Sequence, residues 1–312
     1  MYRIGVDLGG TNIAAGIVDM DGKIVAKNSV ATVKNQSHDL LAKDIADLCS
    51  SVASKADLAF DKITSLGIGC PGTVNPPDGM LIHASNIGIS NMPIGIMLNK
   101  FLNIPVFIQN DANCAALGEA AFGAAKDSSH SITITLGTGI GSGIIIDGKI
   151  YSGPFYGAGE MGHHVIHAGG EPCSCGRRGC WETYASATAL VRETKVWAKR
   201  AAASEIGKMV NGDLSKVTAK TVFDAAGTWD RYAIEVVEVY IDNLCIGLAN
   251  IVNIFQPEII VIGGGVSGQG ESLLDSINSR ISDMVYGGDV KTEFAIAALG
   301  NDAGIVGAAL LT

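Results

Sequence analysis

Residues 7–25 read DLGGTNIAAGIVDMDGKIV and residues 135–151 read TLGTGIGSGIIIDGKIY, and the two stretches can be laid over one another. Each continues an apolar run, residues 2–7 (YRIGVD) in the first and residues 131–136 (SITITL) in the second. Each then passes through a glycine-rich turn (GGT at 9–11, GTGIGSG at 137–143), a second apolar run, and a DG turn into a third. Strand, turn, strand, turn, strand is an antiparallel meander, not the strand–helix–strand opening of a dinucleotide-binding unit. A plan used twice in one chain predicts two similar domains facing each other, each offering a hairpin turn that can hold a phosphate. In the first turn the glycine pair lets backbone N–H groups approach an anion, Thr11 adds a hydroxyl, and Asp7 is a candidate ligand of Mg²⁺-bound water. One GGT turn is as often structural as functional; the repetition is what gives it weight.

The second informative stretch is GEMGHHVIHAGGEPCSCGRRGCWE, residues 159–182. Cys173, Cys175 and Cys180, with a histidine upstream, have the look of a tetrahedral zinc site of three thiolates and one imidazole. His163, His164 and His167 all lie in reach, so spacing leaves the histidine open. Disulfide-paired or merely buried thiols are the bland reading, and three thiols within eight residues beside histidines disfavour it. Four protein ligands leave no open position for water, so such a metal would pose Glu160 and Glu182 rather than react.

Elsewhere the period of apolar residues predicts helices over 38–56 and 94–102 and strands over 63–69 and 104–110. The latter strand runs into Asn110-Asp111-Ala112-Asn113, and the helix AALGEAAFG follows. An acid where a strand stops and a helix starts sits at a sheet edge, a usual place for a catalytic group, although an Asp or Asn there is also a common helix cap. Residues 184–201 and 217–250 read as mostly helical. Residues 258–262 (EIIVI) form an apolar strand into GGGVSGQG, where a nucleotide can lie against backbone, and ESLLDSINSRISDMV reads as the next helix. EFAIAAL (293–299) is predicted as a last strand and GNDAGIVGAALL as a small-residue helix.

The 312 residues exceed one simple core and suggest two domains. A formal net charge of −9 without a basic run disfavours nucleic-acid binding. No apolar stretch reaches the length of a membrane span, and MYRIGVDLGG enters a strand without a secretion-signal pattern. Seven cysteines, three of them in the cluster, fit a reducing cytoplasm, and Cys49, Cys70, Cys114 and Cys245 read as small core residues.

Together DLGGTN (7–12), NDAN (110–113), LGTGIGSG (136–143), GEMGH (159–163), CSCGRRGCWE (173–182) and GGGV (263–266) resemble the ROK family of sugar kinases and related repressors. The resemblance covers nearly the whole chain, and the cysteine motif with its E-x-G-H is its most specific part. It implies an α/β, two-domain actin-like ATPase (ribonuclease H-like) fold with a duplicated core and a cleft between domains. Residues 1–112 would form the smaller domain, with the helix 301–312 packing back onto it, and residues 113–300 the larger. It implies ATP-dependent phosphorylation of a hexose, glucose at O6 being favoured, with fructose, mannose, allose or N-acetylmannosamine, or a non-catalytic sugar-sensing role, as the alternatives. Asp111 would be the general base, and Asn86, Asn110, Glu160, His163 and Glu182 would bind the sugar. Asp7, Gly9, Gly10, Thr11, Asn12, Thr138, Gly139, Gly264 and Gly265 would line ATP and Mg²⁺. His163, Cys173, Cys175 and Cys180 would hold a structural Zn²⁺. It further implies a cytoplasmic homo-oligomer, dimer or tetramer, with no nucleic-acid or membrane partner. The family's repressors carry an N-terminal helix-turn-helix, for which a first strand at residue 2 leaves no room. The segment NIGISNMPIGIML after Asn86 lacks a tryptophan often found there in relatives.

Overall fold

The computed structural model describes residues 1–312. Its first part contains strands β1 (Tyr2–Leu8), β2 (Asn12–Val18) and β3 (Ile24–Ala31), helix α1 (His38–Lys55), then β4 (Ile63–Cys70), β5 (Thr73–Asn75), β6 (Met80–Ala84) and β7 (Ile89–Met92). Helix α2 (Ile94–Leu102), β8 (Val106–Asn110) and α3 (Asp111–Phe122) lead to the second meander, β9 (Ser131–Leu136), β10 (Ile140–Ile146) and β11 (Lys149–Ile150). The remainder is α4 (Glu182–Ala185), α5 (Ala187–Arg200), α6 (Glu205–Val210), α7 (Ala219–Gly227), α8 (Arg231–Phe255), β12 (Ile259–Gly263), α9 (Glu271–Ile281), β13 (Glu293–Ile296) and α10 (Ala303–Ala309). No helix is long and apolar enough to cross a membrane.

The duplication is visible in the sheets. One runs β3-β2-β1-β4-β8 and the other β11-β10-β9-β12-β13, the same order of meander strands and later strands. In the first, β1 pairs antiparallel with β2 and parallel with β4, and β4 pairs parallel with β8. An inner strand covered on both faces is buried along its length and mostly apolar, and β4 buries every residue except Thr64, the polar Ser65 included. By contacts the chain divides into two compact units: residues 1–133, 142–159 and 297–312, and residues 134–141 and 160–296.

In unit 1, Ile4, Val6, Leu8, Ile13, Ile17, Leu66 and Ile68 of the sheet pack with Leu41 and Ile45 of α1 at 3% exposure or less. Each such side chain stabilises the unit by roughly 1.5–3 kcal/mol. Helix α1 begins where Ser37 caps the Leu40 N–H. On the opposite side α10 meets the sheet and α3 through glycines. A Cβ on Gly67 would lie 1.7 Å from the Ala308 carbonyl oxygen, and one on Gly307 would lie 1.7 Å from that of Cys114. The four solitary cysteines are buried.

Four local expectations change. The turn between β9 and β10 is only Gly137–Gly139, closed by a Gly137 N–H to Gly139 carbonyl bond of 3.0 Å. Gly143 lies within β10, where a Cβ would meet the Ala112 oxygen of α3 at 2.6 Å. Helix α3 starts at Asp111 rather than after Asn113, because Asn110 supplies its cap. The last strand stops at Ile296, since the fully buried Glu119 carboxylate captures the Ala298 and Leu299 N–H groups at 3.1 and 2.8 Å. Residues 73–92 form a three-stranded sheet, β5-β6-β7, where the sequence predicts no strands.

Candidate functional site

The C-terminal end of β8 is built to hold Asn110 and Asp111. Gln109, 7% exposed in an otherwise apolar strand, accepts the Asn110 N–H at 2.8 Å and an Asn113 amide N–H at 3.3 Å. The Asn110 side-chain oxygen accepts from Ala112 and Asn113 N–H, and its amide nitrogen donates to the Gly72 carbonyl at 3.1 Å. Asp111 is the first residue of α3, and its Oδ1 accepts the Ala112 N–H at 2.8 Å. The capping role thus falls to Asn110, and the carboxylate beside it is oriented at the positive end of a helix. No motif points to Gln109, and its sequence signal is a lone amide inside the run IPVFIQN.

The β1–β2 turn lies in the same unit. Gly9 N–H donates to the Asn12 carbonyl at 3.0 Å, and Thr32 ties the turn to β3 through the carbonyls of Thr11 and Gly9. Asn86 lies against the turn, its Nδ2 3.2 Å from where a Gly10 Cβ would be. Burial raises the pKa of Asp7, and Lys27 partly offsets this. Such a carboxylate, buried with incomplete compensation, suits a divalent cation or its water shell.

Unit 2 contains the cysteine loop. Glu160 precedes a single 3₁₀ turn, Met161–His163, in which its carbonyl accepts the His163 N–H at 3.1 Å. Short bridges Val165–Cys180 and Pro172–Arg178 fold the loop, and Cys173 N–H donates to the Arg177 carbonyl at 2.8 Å. One ligand atom each from His163, Cys173, Cys175 and Cys180 lies within 4.8 Å of the others. Cys173 Sγ is 3.5 Å from His163 Nδ1, and Cys175 Sγ is 3.7 Å from Cys180 Sγ. Tetrahedral zinc, with Zn–S of about 2.3 Å and Zn–N of about 2.0–2.1 Å, requires edges of about 3.5 Å and about 3.8 Å for those pairs. These two separations match those edges, and Cys175 and Cys180 are not joined in a disulfide, whose S–S length is about 2.05 Å. His164 faces the Met161 carbonyl and the Trp181 ring, and burial lowers its pKa; His167 bonds to Asn243 at 2.8 Å.

The cluster also supports α4. Trp181, with no exposed surface, donates from Nε1 to the Asn243 carbonyl at 2.9 Å and lies over Gly247 of α8. Next to it Glu182 opens α4, with Oε1 3.0 Å from Cys173 Sγ and 3.6 Å from His163 Nδ1. Its Oε2 is 2.6 Å from where a Cβ of Gly139 would be, so Thr138, Gly139, Glu182, His163 and the cysteines form one neighbourhood. Arg177, to which the cysteine motif assigns no role, donates to the His163 carbonyl at 3.3 Å. Burial pushes the Cys173 thiol up to about 12 and raises that of Cys180, whereas the Arg177 N–H lowers that of Cys175. At the end of β12, Gly264 (φ 83°) packs on the backbone of Leu136, and no atom lies within 4 Å of the Cβ position of Gly265. A cavity of about 450 Å³ in the same unit is lined by His167, Tyr184, Leu190, Trp197 and Tyr240 and by none of the residues expected to bind ligand.

The model of the ROK family matches residues 3–312. The chain belongs to the ROK family. Among ROK proteins it is 39% identical to a glucokinase of Halalkalibacterium halodurans, over 98% of this chain and 93% of that one. It is also 32% identical to a xylose repressor of Caldicellulosiruptor bescii, over 91% of this chain and 70% of that one. A crystal structure of a ROK glucokinase from Streptomyces griseus in complex with glucose and AMPPNP superposes with a TM-score of 0.85 at 36% identity, covering 99% of this chain and 98% of that one. The fold is therefore the actin-like ATPase fold of ROK sugar kinases.

Proposed function

We propose that this ROK protein is an ATP-dependent hexose kinase, a glucokinase that phosphorylates the sugar 6-hydroxyl. The observation that carries this reading is Asp111, held at the first residue of α3 by its own bond to Ala112 N–H, beside Asn110, which caps the helix. It is supported by the 39% identity to a glucokinase. Asp111 accepts the proton of the sugar hydroxyl as the oxygen–γ-phosphorus bond forms; the bond from γ-phosphorus to the β,γ-bridging oxygen breaks, and ADP leaves. Asn86, Asn110, Glu160, His163 and Glu182 bind the sugar hydroxyls, carboxylates accepting and amides both donating and accepting.

The turns at Gly9–Asn12 and Thr138–Gly139, with Gly264 and Gly265, hold the nucleotide through backbone N–H groups. Mg²⁺ supplies neutralisation of phosphate charge when bound, with Asp7 as its water-mediated anchor. The set His163, Cys173, Cys175 and Cys180 holds a structural Zn²⁺ that keeps His163 and Glu182 in place. The same reading makes the protein a cytoplasmic homo-oligomer, dimer or tetramer.

The experiment is ADP release with Mg·ATP and a panel of glucose, mannose, fructose, allose and N-acetylmannosamine. Glucose as the preferred substrate supports the proposal. Preference for another hexose replaces the substrate and keeps the reaction. Sugar binding without turnover of any hexose favours a sugar-sensing role, which the xylose repressor relative makes the second reading.

A further inference from the structure

The glycines of the nucleotide turns are required for different reasons. Gly264 has a φ of 83°, and a Cβ there would meet the Leu136 backbone at 2.5 Å. Gly9 has an ordinary φ, but its Cβ would meet the Asn12 carbonyl oxygen at 2.8 Å. Backbone alone therefore dictates glycine at both positions.

Gly10 and Gly139 differ. Neither has a left-handed φ, and at neither does a backbone atom block a Cβ. What fills the place of the Cβ is a side chain expected to bind sugar: Asn86 Nδ2 at 3.2 Å over Gly10, and Glu182 Oε2 at 2.6 Å over Gly139. The arrangement occurs once in each unit, on the equivalent turn of each meander.

We propose that Gly10 and Gly139 are positioning residues. The bare Cα of each seats a sugar-binding side chain on a phosphate-binding turn, so that hexose and nucleotide strengthen each other's binding. The inference rests on the kinase reading and adds a coupling to it. A hexose hydroxyl bonded to Glu182 holds the carboxylate on Gly139 and so fixes the turn whose N–H groups meet phosphate. Asn86 acts the same way on Gly10. By linkage, each ligand then raises the affinity for the other by one common factor.

At Gly139 the group a methyl would displace is the far end of a movable side chain, so Gly139→Ala keeps the fold while moving the carboxylate. Glucose binding is measured by calorimetry with and without AMPPNP, on wild type, Gly139→Ala, Gly10→Ala, Glu182→Asp and Gly139→Ala/Glu182→Asp. Wild type is expected to bind glucose more tightly when AMPPNP is present. Gly139→Ala should bind glucose about 10-fold more weakly and lose that enhancement, because a misplacement of about 1 Å is costly at a reacting site. Gly10→Ala, with its wider gap, should lose less. Shortening the carboxylate should cost less on the Gly139→Ala background than on wild type, a non-additivity expected of contacting residues and not of a general structural defect. Gly139→Ala and Gly10→Ala both retaining wild-type glucose affinity and enhancement, in a wild type that phosphorylates glucose, would overturn the coupling and leave the kinase reading intact. A wild type that phosphorylates none of the hexoses overturns that reading instead.

Discussion

The Nδ1 of His163 lies 3.5 Å from the Sγ of Cys173, within a group of four possible metal ligands that Cys175 and Cys180 complete. The same Sγ lies 3.0 Å from Glu182 Oε1, so whatever orders the thiols also orders a carboxylate expected to meet the sugar.

Cys175→Ser should therefore lose zinc and weaken glucose binding together. Elemental analysis should find about one zinc per chain in wild type and much less than one in the variant, while calorimetry reads a glucose affinity reduced about 10–100-fold, the range for disturbed metal sites. Unchanged zinc content in the variant contradicts the ligand set.

Asp7 carries a stability cost of its own. Because burial raises its carboxyl pKa, ionisation opposes folding, and the penalty grows as pH rises from the ordinary carboxylate range through the folded-state value. Asp7→Asn removes the ionisation, so without nucleotide its thermal midpoint at pH 7 should exceed that of wild type, with the gain shrinking toward pH 4. Its turnover should fall, a stability gained at the expense of a functional site. A lower midpoint at pH 7 would refute this account of Asp7.

Glu119 stabilises the fold through its hydrogen bonds. Its carboxylate is fully buried and accepts N–H groups of Ala124, Ala298 and Leu299, tying α3 to the segment that enters α10. Glu119→Ala removes the acceptor of three part-buried N–H groups, at about 0.5–1.5 kcal/mol each, and thermal unfolding should show a loss of several degrees. A midpoint within about 1 °C of wild type would show that the latch contributes little.

Much of the fold was legible because the two meanders alternate apolar runs with glycine turns, and because α1 and α2 have clean helical periods. The β5-β6-β7 sheet was not, since strands of three to five residues broken by Pro76, Pro77, Gly79 and Gly88 offer no period to read. The end of β13 depended on Glu119, more than 170 residues earlier in the chain. Within the candidate site, spacing could not choose among three histidines within five residues. The 3₁₀ turn from Met161 to His163 decides which imidazole faces the sulfurs. The seats on Gly10 and Gly139 were equally hidden, because what fills a missing Cβ comes from a distant part of the chain.

The central claim is that Asp111 is the base of a hexose kinase. Asn at this position can still accept the Ala112 N–H, and Asn110 still caps α3, so Asp111→Asn should fold as wild type does. The decisive measurement is glucose-dependent ADP release by wild type and Asp111→Asn, with glucose affinity determined on both. The account predicts turnover in wild type, a loss of about 10²–10⁴-fold in kcat for the variant, and glucose affinity changed by no more than about 3-fold. Full turnover in Asp111→Asn would contradict it.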